Sequence, residues 1–406
     1  MEYETYTLGN GIRLIHHRTV SYVGHMALLM NTGSRDELDE EHGMAHLIEH
    51  LLFKGTQKRK AYHIISRLED VGGDINAYTT KEETCIYASF LKGDYSRAAE
   101  LMKDIVFHSV FPHKELKKEK DIIIDEINSY LDDPGELIFD EFEDHIFQGN
   151  PIGRNILGTA ETLGKIERTD VIHFLENNYA TDEMVISSVG NISLNKFIKI
   201  IAANFGDIPL KTRKRKRTIL NNYNPGNLTK EKKTFQVHSL TGTRAYKVKD
   251  ERRITLHLLN NILGGPGLSS RLNMALREKN GYSYQTESHY TPYSDTGVLN
   301  IYFTCDKNKL NKCRDIISSE FRKLRNQRLG TLQLLKAKKQ LMGQVAISAE
   351  NYESLMFSMA KSYMIFNKFE SLEEIREKID AITSEQLLQT ANEILDEKRL
   401  FNLTYL

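Results

Sequence analysis

The sequence predicts two domains of one fold, each mixing strands with helices. Three observations carry that expectation. The chain has 406 residues, more than one ordinary core organises when domains run to about 100–200 residues. Short apolar runs of strand length are interleaved with segments of helical period along its whole length. Finally, the end of the first half recurs at the end of the second. Ile166-Glu-Arg-Thr-Asp-Val-Ile-His-Phe, a helix that leads to Met184-Val-Ile-Ser-Ser-Val, has its counterpart in Ile382-Thr-Ser-Glu-Gln-Leu-Leu-Gln-Thr, a helix that leads to Leu400-Phe-Asn-Leu-Thr-Tyr. That is a weak repeat with a period near 215 residues, as two copies of one domain would give.

Hydrophobic residues at 40% and charged residues at 27% match a globular protein with a large core. No run of about 18 apolar residues occurs, so no membrane span is expected. Fifty-five basic residues balance fifty-five acidic ones, and bulk charge gives no pull toward nucleic acid or an anionic membrane. The first residues carry acids and read directly into a strand, without the basic start and apolar centre of a signal peptide. Cys85, Cys305 and Cys313 are few, odd in number and without metal-type spacing, which fits a reducing compartment. A cytoplasmic protein is expected.

Tyr6 to His16 alternates as a strand pair around Asn10-Gly11, and Val23 to Met30 is a further apolar strand. Ala45 to Phe53 reads as a helix, and so does Ala61 to Val71, closed by Gly72-Gly73. Asp74 to Thr80 and Thr84 to Phe90 then form a strand pair, either an ordinary hairpin or an edge that an extended peptide can join. Tyr95 to Val110 and Lys114 to Leu131 are amphipathic helices, a third helix runs to about Phe147, and a loop begins at Asn150. Thr169 to Asn177 is helical, Met184 to Val189 a strand, and Leu194 to Phe205 the last helix of a first domain spanning residues 1–208.

Residues 209–233 read as a linker: Lys211, Arg213, Lys214, Arg215, Lys216 and Arg217 form a basic run, and the stretch after it lacks periodicity. The run has no aromatic residues between its cations, so nucleic acid is not expected as a partner. The second domain, residues 234–406, opens with strands at Phe235 to Leu240 and Arg244 to Val248, and a helix at Ile254 to Leu263 follows. Strands near His289 and at Val298 to Thr304 precede helices at Leu310 to Asn326, Thr331 to Ile347, Tyr352 to Ile365 and Leu372 to Ile379.

One helix carries the chemistry. In His46-Leu-Ile-Glu49-His50, the advance of about 100° per residue puts His46 and His50 about 40° apart and one turn from each other, so both rings can reach one ion. Glu49 shares their broad face, where a carboxylate can take a proton from water held by the metal. His42, about 12 Å along the axis from His50, is too far away to share an ion and reads as a first-turn residue beside Gly43. A third ligand comes from Lys114 to Leu131. Glu119 and Glu126 are separated by about two turns and lie on one face, and the isoleucines around Glu126 predict that it is packed. A buried Glu126 would need a metal ion, or a lysine from Lys117, Lys118 or Lys120.

With these residues in place the chain resembles the pitrilysin-like zinc peptidases, the group of mitochondrial processing peptidase and insulin-degrading enzyme. Their pattern is His-x-x-Glu-His with a glutamate 76 positions after the second histidine, and here that position is Glu126. Gly33-Ser-Arg-Asp-Glu, Phe53-Lys-Gly-Thr, Asn76-Ala77-Tyr-Thr with Glu82 and Thr84, and Pro151-Ile-Gly-Arg154 look like family segments. So do Leu263-Gly-Gly-Pro-Gly-Leu-Ser-Ser-Arg-Leu and Arg277-Glu-Lys-Asn-Gly-Tyr-Ser-Tyr284. Glu83 and Asn150 depart from the pattern, each standing where histidine is common. The resemblance implies an α+β fold of two homologous domains, each a mainly antiparallel sheet packed with helices, facing each other across a cavity.

It also implies a zinc-dependent endopeptidase that holds one Zn2+ per chain on His46, His50 and Glu126. Glu49 would be the general base, with Glu119 supporting the ligands. Asn76 and Ala77 would bind the substrate backbone, and Arg277 and Tyr284 would reach the reacting peptide from the second domain. Large members join four such domains in one chain. Two domains therefore imply a homodimer, or a heterodimer with a related chain, acting on peptide substrates. The alternatives are a non-proteolytic peptide-binding or scaffold subunit, against which Glu49 argues, and metal-dependent hydrolysis of a non-peptide bond.

Overall fold

The computed structural model describes residues 3–220 and 223–406; residues 1–2 of the expected first domain and 221–222 of the expected linker lie outside them. In chain order the strands are β1 (Glu4–Thr7), β2 (Arg13–Arg18), β3 (Val23–Met30), β4 (Asp74–Thr79), β5 (Thr84–Leu91), β6 (Met184–Gly190), β7 (Gly226–Lys230), β8 (Val237–Ala245), β9 (Thr286–Pro292), β10 (Gly297–Cys305) and β11 (Phe401–Tyr405). Among the helices are α1 (Met44–Leu52), α2 (Ala61–Glu69), α3 (Tyr95–Phe107), α4 (His113–Leu131), α5 (Pro134–Ile146), α6 (Ala160–Lys165), α7 (Arg168–Asn178) and α8 (Leu194–Phe205). The rest are α9 (Arg253–Gly264), α10 (Leu310–Asn326), α11 (Thr331–Ala349), α12 (Tyr352–Phe366), α13 (Leu372–Ala381) and α14 (Ser384–Ile394).

Two sheets form, with strand orders β1-β2-β6-β3-β5-β4 and β7-β11-β8-β10-β9. Without β1 the orders are the same path. Each sheet has one parallel pair, β2 with β6 and β7 with β11, and its other neighbours are antiparallel. The strand at Met184 and the strand at Leu400, matched in the sequence, occupy equivalent places as β6 and β11. The internal repeat is thus a repeat of topology.

The chain divides into two compact units, but not at the expected boundaries. The first contains residues 1–129, 154–219 and 347–371; the second contains 130–153, 220–346 and 372–406. The reason is packing. In the first unit, one sheet face builds the main core with α1, α2, α3 and α8 (Met26, Leu28, Ile48, Leu51, Ile105, Phe197). The opposite face (Ile15, Ala27, Leu29, Val185, Val189) is apolar too, and α12 covers it with Leu355, Met356, Met359, Ala360 and Tyr363. In the second unit α5 does the same, placing Ile138, Phe142 and Ile146 on Leu240, Val298, Tyr302 and Leu403. Each sheet would otherwise expose an apolar face, which at roughly 25 cal/mol per Å2 is costly.

Two expectations near the linker change. β8 is one continuous strand where two were expected, and β7 forms inside 209–233 by pairing in parallel with β11. The basic run is no free tether. Its odd-numbered members turn inward while Lys214 and Lys216 stay exposed. Arg213 pairs with Glu183 at 3.1 Å, Arg215 with Glu41, and Arg217 with Asp36 at 2.9 Å and Glu82 at 3.3 Å. Period-two alternation, the mark of extended chain, lays the strap along a line of buried and half-buried carboxylates. No helix among the described residues is long and apolar enough to cross a membrane.

Candidate metal centre

α1 is apolar on most sides: Met44, Ala45, Leu47, Ile48, Leu51 and Leu52 are buried. Its start is built without a side-chain cap of its own, because the N-cap is Gly43 at φ 96°. A Cβ there would meet the Leu157 carbonyl at 2.7 Å, so the position is closed to other residues. The free amides are taken instead by Glu37, which accepts from Gly43 at 3.0 Å and Ala45 at 2.8 Å. Burial pushes the Glu37 carboxyl up to about 8, against the pull of those two amides and Arg154. Glu37→Ala leaves two buried donors unpaired and is expected to destabilise the protein by about 2 kcal/mol or more, read as a lowered Tm. An unchanged Tm would show that α1 does not depend on this cap.

His46 and His50 project from α1 with ring centroids 4.7 Å apart. Glu126 from α4 meets both: its two oxygens lie 3.9 Å from His46 Nε2 and 3.9 Å from His50 Nε2. One ligand atom from each of the three residues falls within 4.8 Å of the other two, the one such cluster of histidine, cysteine and acidic side chains found among the described residues. A tetrahedral zinc ion with bonds of about 2.1 Å spaces its ligands about 3.4 Å apart, so small side-chain movements close the set. The rings are suited to it. Burial and the neighbouring His50 push the pKa of His46 down to about 4, leaving a neutral imidazole with a lone pair to give.

Glu126 does not have the environment expected of it. Glu126, read as packed, is 46% exposed, while Glu119 is 1% exposed. α4 buries only Leu116, Glu119 and Ile123, so a single narrow stripe faces the core and the isoleucines around Glu126 lie mostly beside it. Glu119 accepts from His50 Nδ1 at 3.1 Å and pairs with Lys54 Nζ at 3.0 Å. That contact puts the His50 proton on Nδ1 and leaves Nε2 to face Glu126. Lys54, four residues beyond His50, thus pairs with Glu119, a partner not expected from the sequence. His42 bonds the Asn155 carbonyl at 3.0 Å and stays out of the cluster.

Glu49 is half-buried, and burial raises its pKa. A carboxylate made more basic beside the metal set is suited to accept a proton. Asn76 and Ala77 lie on β4, which pairs only with β5 and so ends the sheet next to α1. The Ala77 amide donates to the Asn76 side-chain oxygen at 2.8 Å. Arg277 and Tyr284 belong to the second unit and come together there. The Arg277 guanidinium sits 4.9 Å from the Tyr284 ring centroid, and both line a cavity of about 490 Å3 with the Gly264 to Gly267 loop and edge strand β9. Tyr284 is 78% exposed.

Sequence comparison decides the family. Residues 14–160 match the model of insulinase, peptidase family M16, and residues 165–341 match the peptidase M16 inactive domain. The uncharacterized zinc protease YmxG of Bacillus subtilis is 34% identical over 396 residues, covering 97% of this chain and 95% of that protein. The chain belongs to the peptidase M16 family. A second M16 relative, an uncharacterized zinc protease of Mycobacterium leprae, is 30% identical over 97% of this chain and 89% of its own length. The M16 fold is matched by the crystal structure of a protease from Helicobacter pylori at a TM-score of 0.93 and 19% identity, covering 100% of this chain and 99% of that one. A peptidase M16 inactive domain structure from Pseudomonas fluorescens gives the same TM-score and identity over 100% and 98%. The metal set falls within the stretch matching the insulinase model.

Proposed function

We propose that this M16 protein is a zinc-dependent endopeptidase that hydrolyses peptides or unfolded segments, holding one zinc ion per chain on His46, His50 and Glu126. The observation that carries the reading is the convergence of those three ligand atoms beside an intact Glu49. Zinc bound there would supply Lewis acidity, which acidifies water and polarises a carbonyl. Glu49 takes the proton of the attacking water and passes it to the nitrogen of the departing amine. Glu119 fixes the His50 ring through Nδ1, and Lys54 pairs with the other oxygen of Glu119. The free edge of β4 receives the substrate as an added strand at Asn76 and Ala77. Tyr284 donates to the oxyanion and Arg277 grips a substrate carbonyl or carboxylate. Because one polypeptide contains both the metal set and this pair, the working assembly is a homodimer, in the cytoplasm.

A scaffold subunit would bind peptide without cutting it. Turnover of a fluorogenic peptide separates the two: we expect cleavage that stops with a chelator and returns with added zinc. Absence of cleavage by protein containing one zinc per chain would favour the scaffold.

A further inference from the structure

A half-buried carboxylate that moves a proton must also be held in one orientation. The group in reach is Thr79, the last residue of β4. Its hydroxyl is buried and has no hydrogen-bond partner, and it lies close enough to interact with the Glu49 carboxylate. Strand alternation fixes where it points: Ile75 and Ala77 pack against the core that contains α1, and Thr79, two residues further on, shares their face. The end of the strand is anchored. Thr79 pairs with Thr84 across β5, and the Thr84 hydroxyl donates to the Thr32 carbonyl at 2.8 Å. The Thr79 contact with Glu49 has not closed to full hydrogen-bond geometry, as is common for catalytic contacts before substrate binds.

We propose that Thr79 is a positioning residue, whose hydroxyl turns the Glu49 carboxylate toward the reacting water. This rests on the endopeptidase reading above. Thr79 follows Asn76 and Ala77 on the same edge strand, so docking a substrate strand on β4 and aligning the base become one event. The hydroxyl tightens on Glu49 when β4 is paired on both sides.

The test uses zinc-loaded full-length protein and a fluorogenic peptide, with zinc content and Tm recorded for every variant. Thr79→Val keeps the shape and removes the hydroxyl; kcat should fall about tenfold with KM and zinc content unchanged. Thr79→Ser, which restores the hydroxyl, should return kcat to within about twofold of the parent. A parental kcat in Thr79→Val overturns the proposal, as does a change confined to KM, a loss of zinc, or a Thr79→Ser variant as slow as Thr79→Val. Glu49→Gln run in parallel keeps the two failures apart. If it is inactive while Thr79→Val is not, only the positioning role falls. If it cleaves normally, the base assignment falls and the proposal with it.

Discussion

Glu49→Gln lowers kcat by about 10³-fold while the protein folds and keeps its zinc. The amide has nearly the volume of the carboxylate, so the half-buried site on α1 is filled as before, but it cannot accept and return a proton. None of the three ligand atoms is touched, and His46, His50 and Glu126 continue to converge. The measurements are peptide turnover, metal content and Tm on the same preparation. Loss of turnover together with zinc would mean that Glu49 holds the site together and not that it moves protons. Full turnover would remove Glu49 from the mechanism.

Glu126→Ala is the second large effect, and here the metal is lost. Two imidazoles remain, one ligand short of what a catalytic zinc site uses. Because Glu126 is 46% exposed, the variant should fold with the Tm of the metal-free parent, so a null result cannot be blamed on unfolding. Zinc per chain after dialysis is expected to fall close to zero and peptide cleavage with it. Retention of one zinc per chain would assign the third ligand elsewhere. The same experiment on Glu119 would be less clean, since that carboxylate is 1% exposed and paired with Lys54. Its removal leaves the half-buried Lys54 without that partner.

Much of the site is local and therefore readable. The His46, Glu49 and His50 grouping follows from helical spacing alone, and an almost continuous apolar surround marks α1 as a core helix. Glu119 and Glu126 are likewise fixed on one side of α4 by their seven-residue separation. Spacing did not tell which of them is buried. The isoleucines lie around Glu126 and the lysines around Glu119, yet burial depends on how α4 rolls against α1, and Lys54 pairs with the carboxylate that turns inward. Glu37 and Thr79 left no pattern to find. One caps a helix from six residues before its N-cap, the other meets Glu49 from a strand thirty residues on, and neither distance is a period of any regular structure.

The sequence by itself determined most elements, the recurrence of a helix and strand at the end of each half, and the grouping of His46, Glu49 and His50 on one helix. Those follow from periodicity, turn residues and helical spacing, whereas Glu126 as a third ligand came from the resemblance to a known family, and the common strand order of the two sheets from the structure. The tertiary structure alone decided to which sheet each connecting segment belongs. α12 is amphipathic in either unit, and apolar burial has no direction, so its pattern says that it covers a sheet but not which one. In the structure α12 closes the sheet of the first unit and α5 that of the second. The basic strap was open to misreading for a related reason. Its arginines are charged in any context, and only the folded chain brings Asp36, Glu41, Glu82 and Glu183 to meet them. Long-range electrostatic partners are set by where the backbone has already gone.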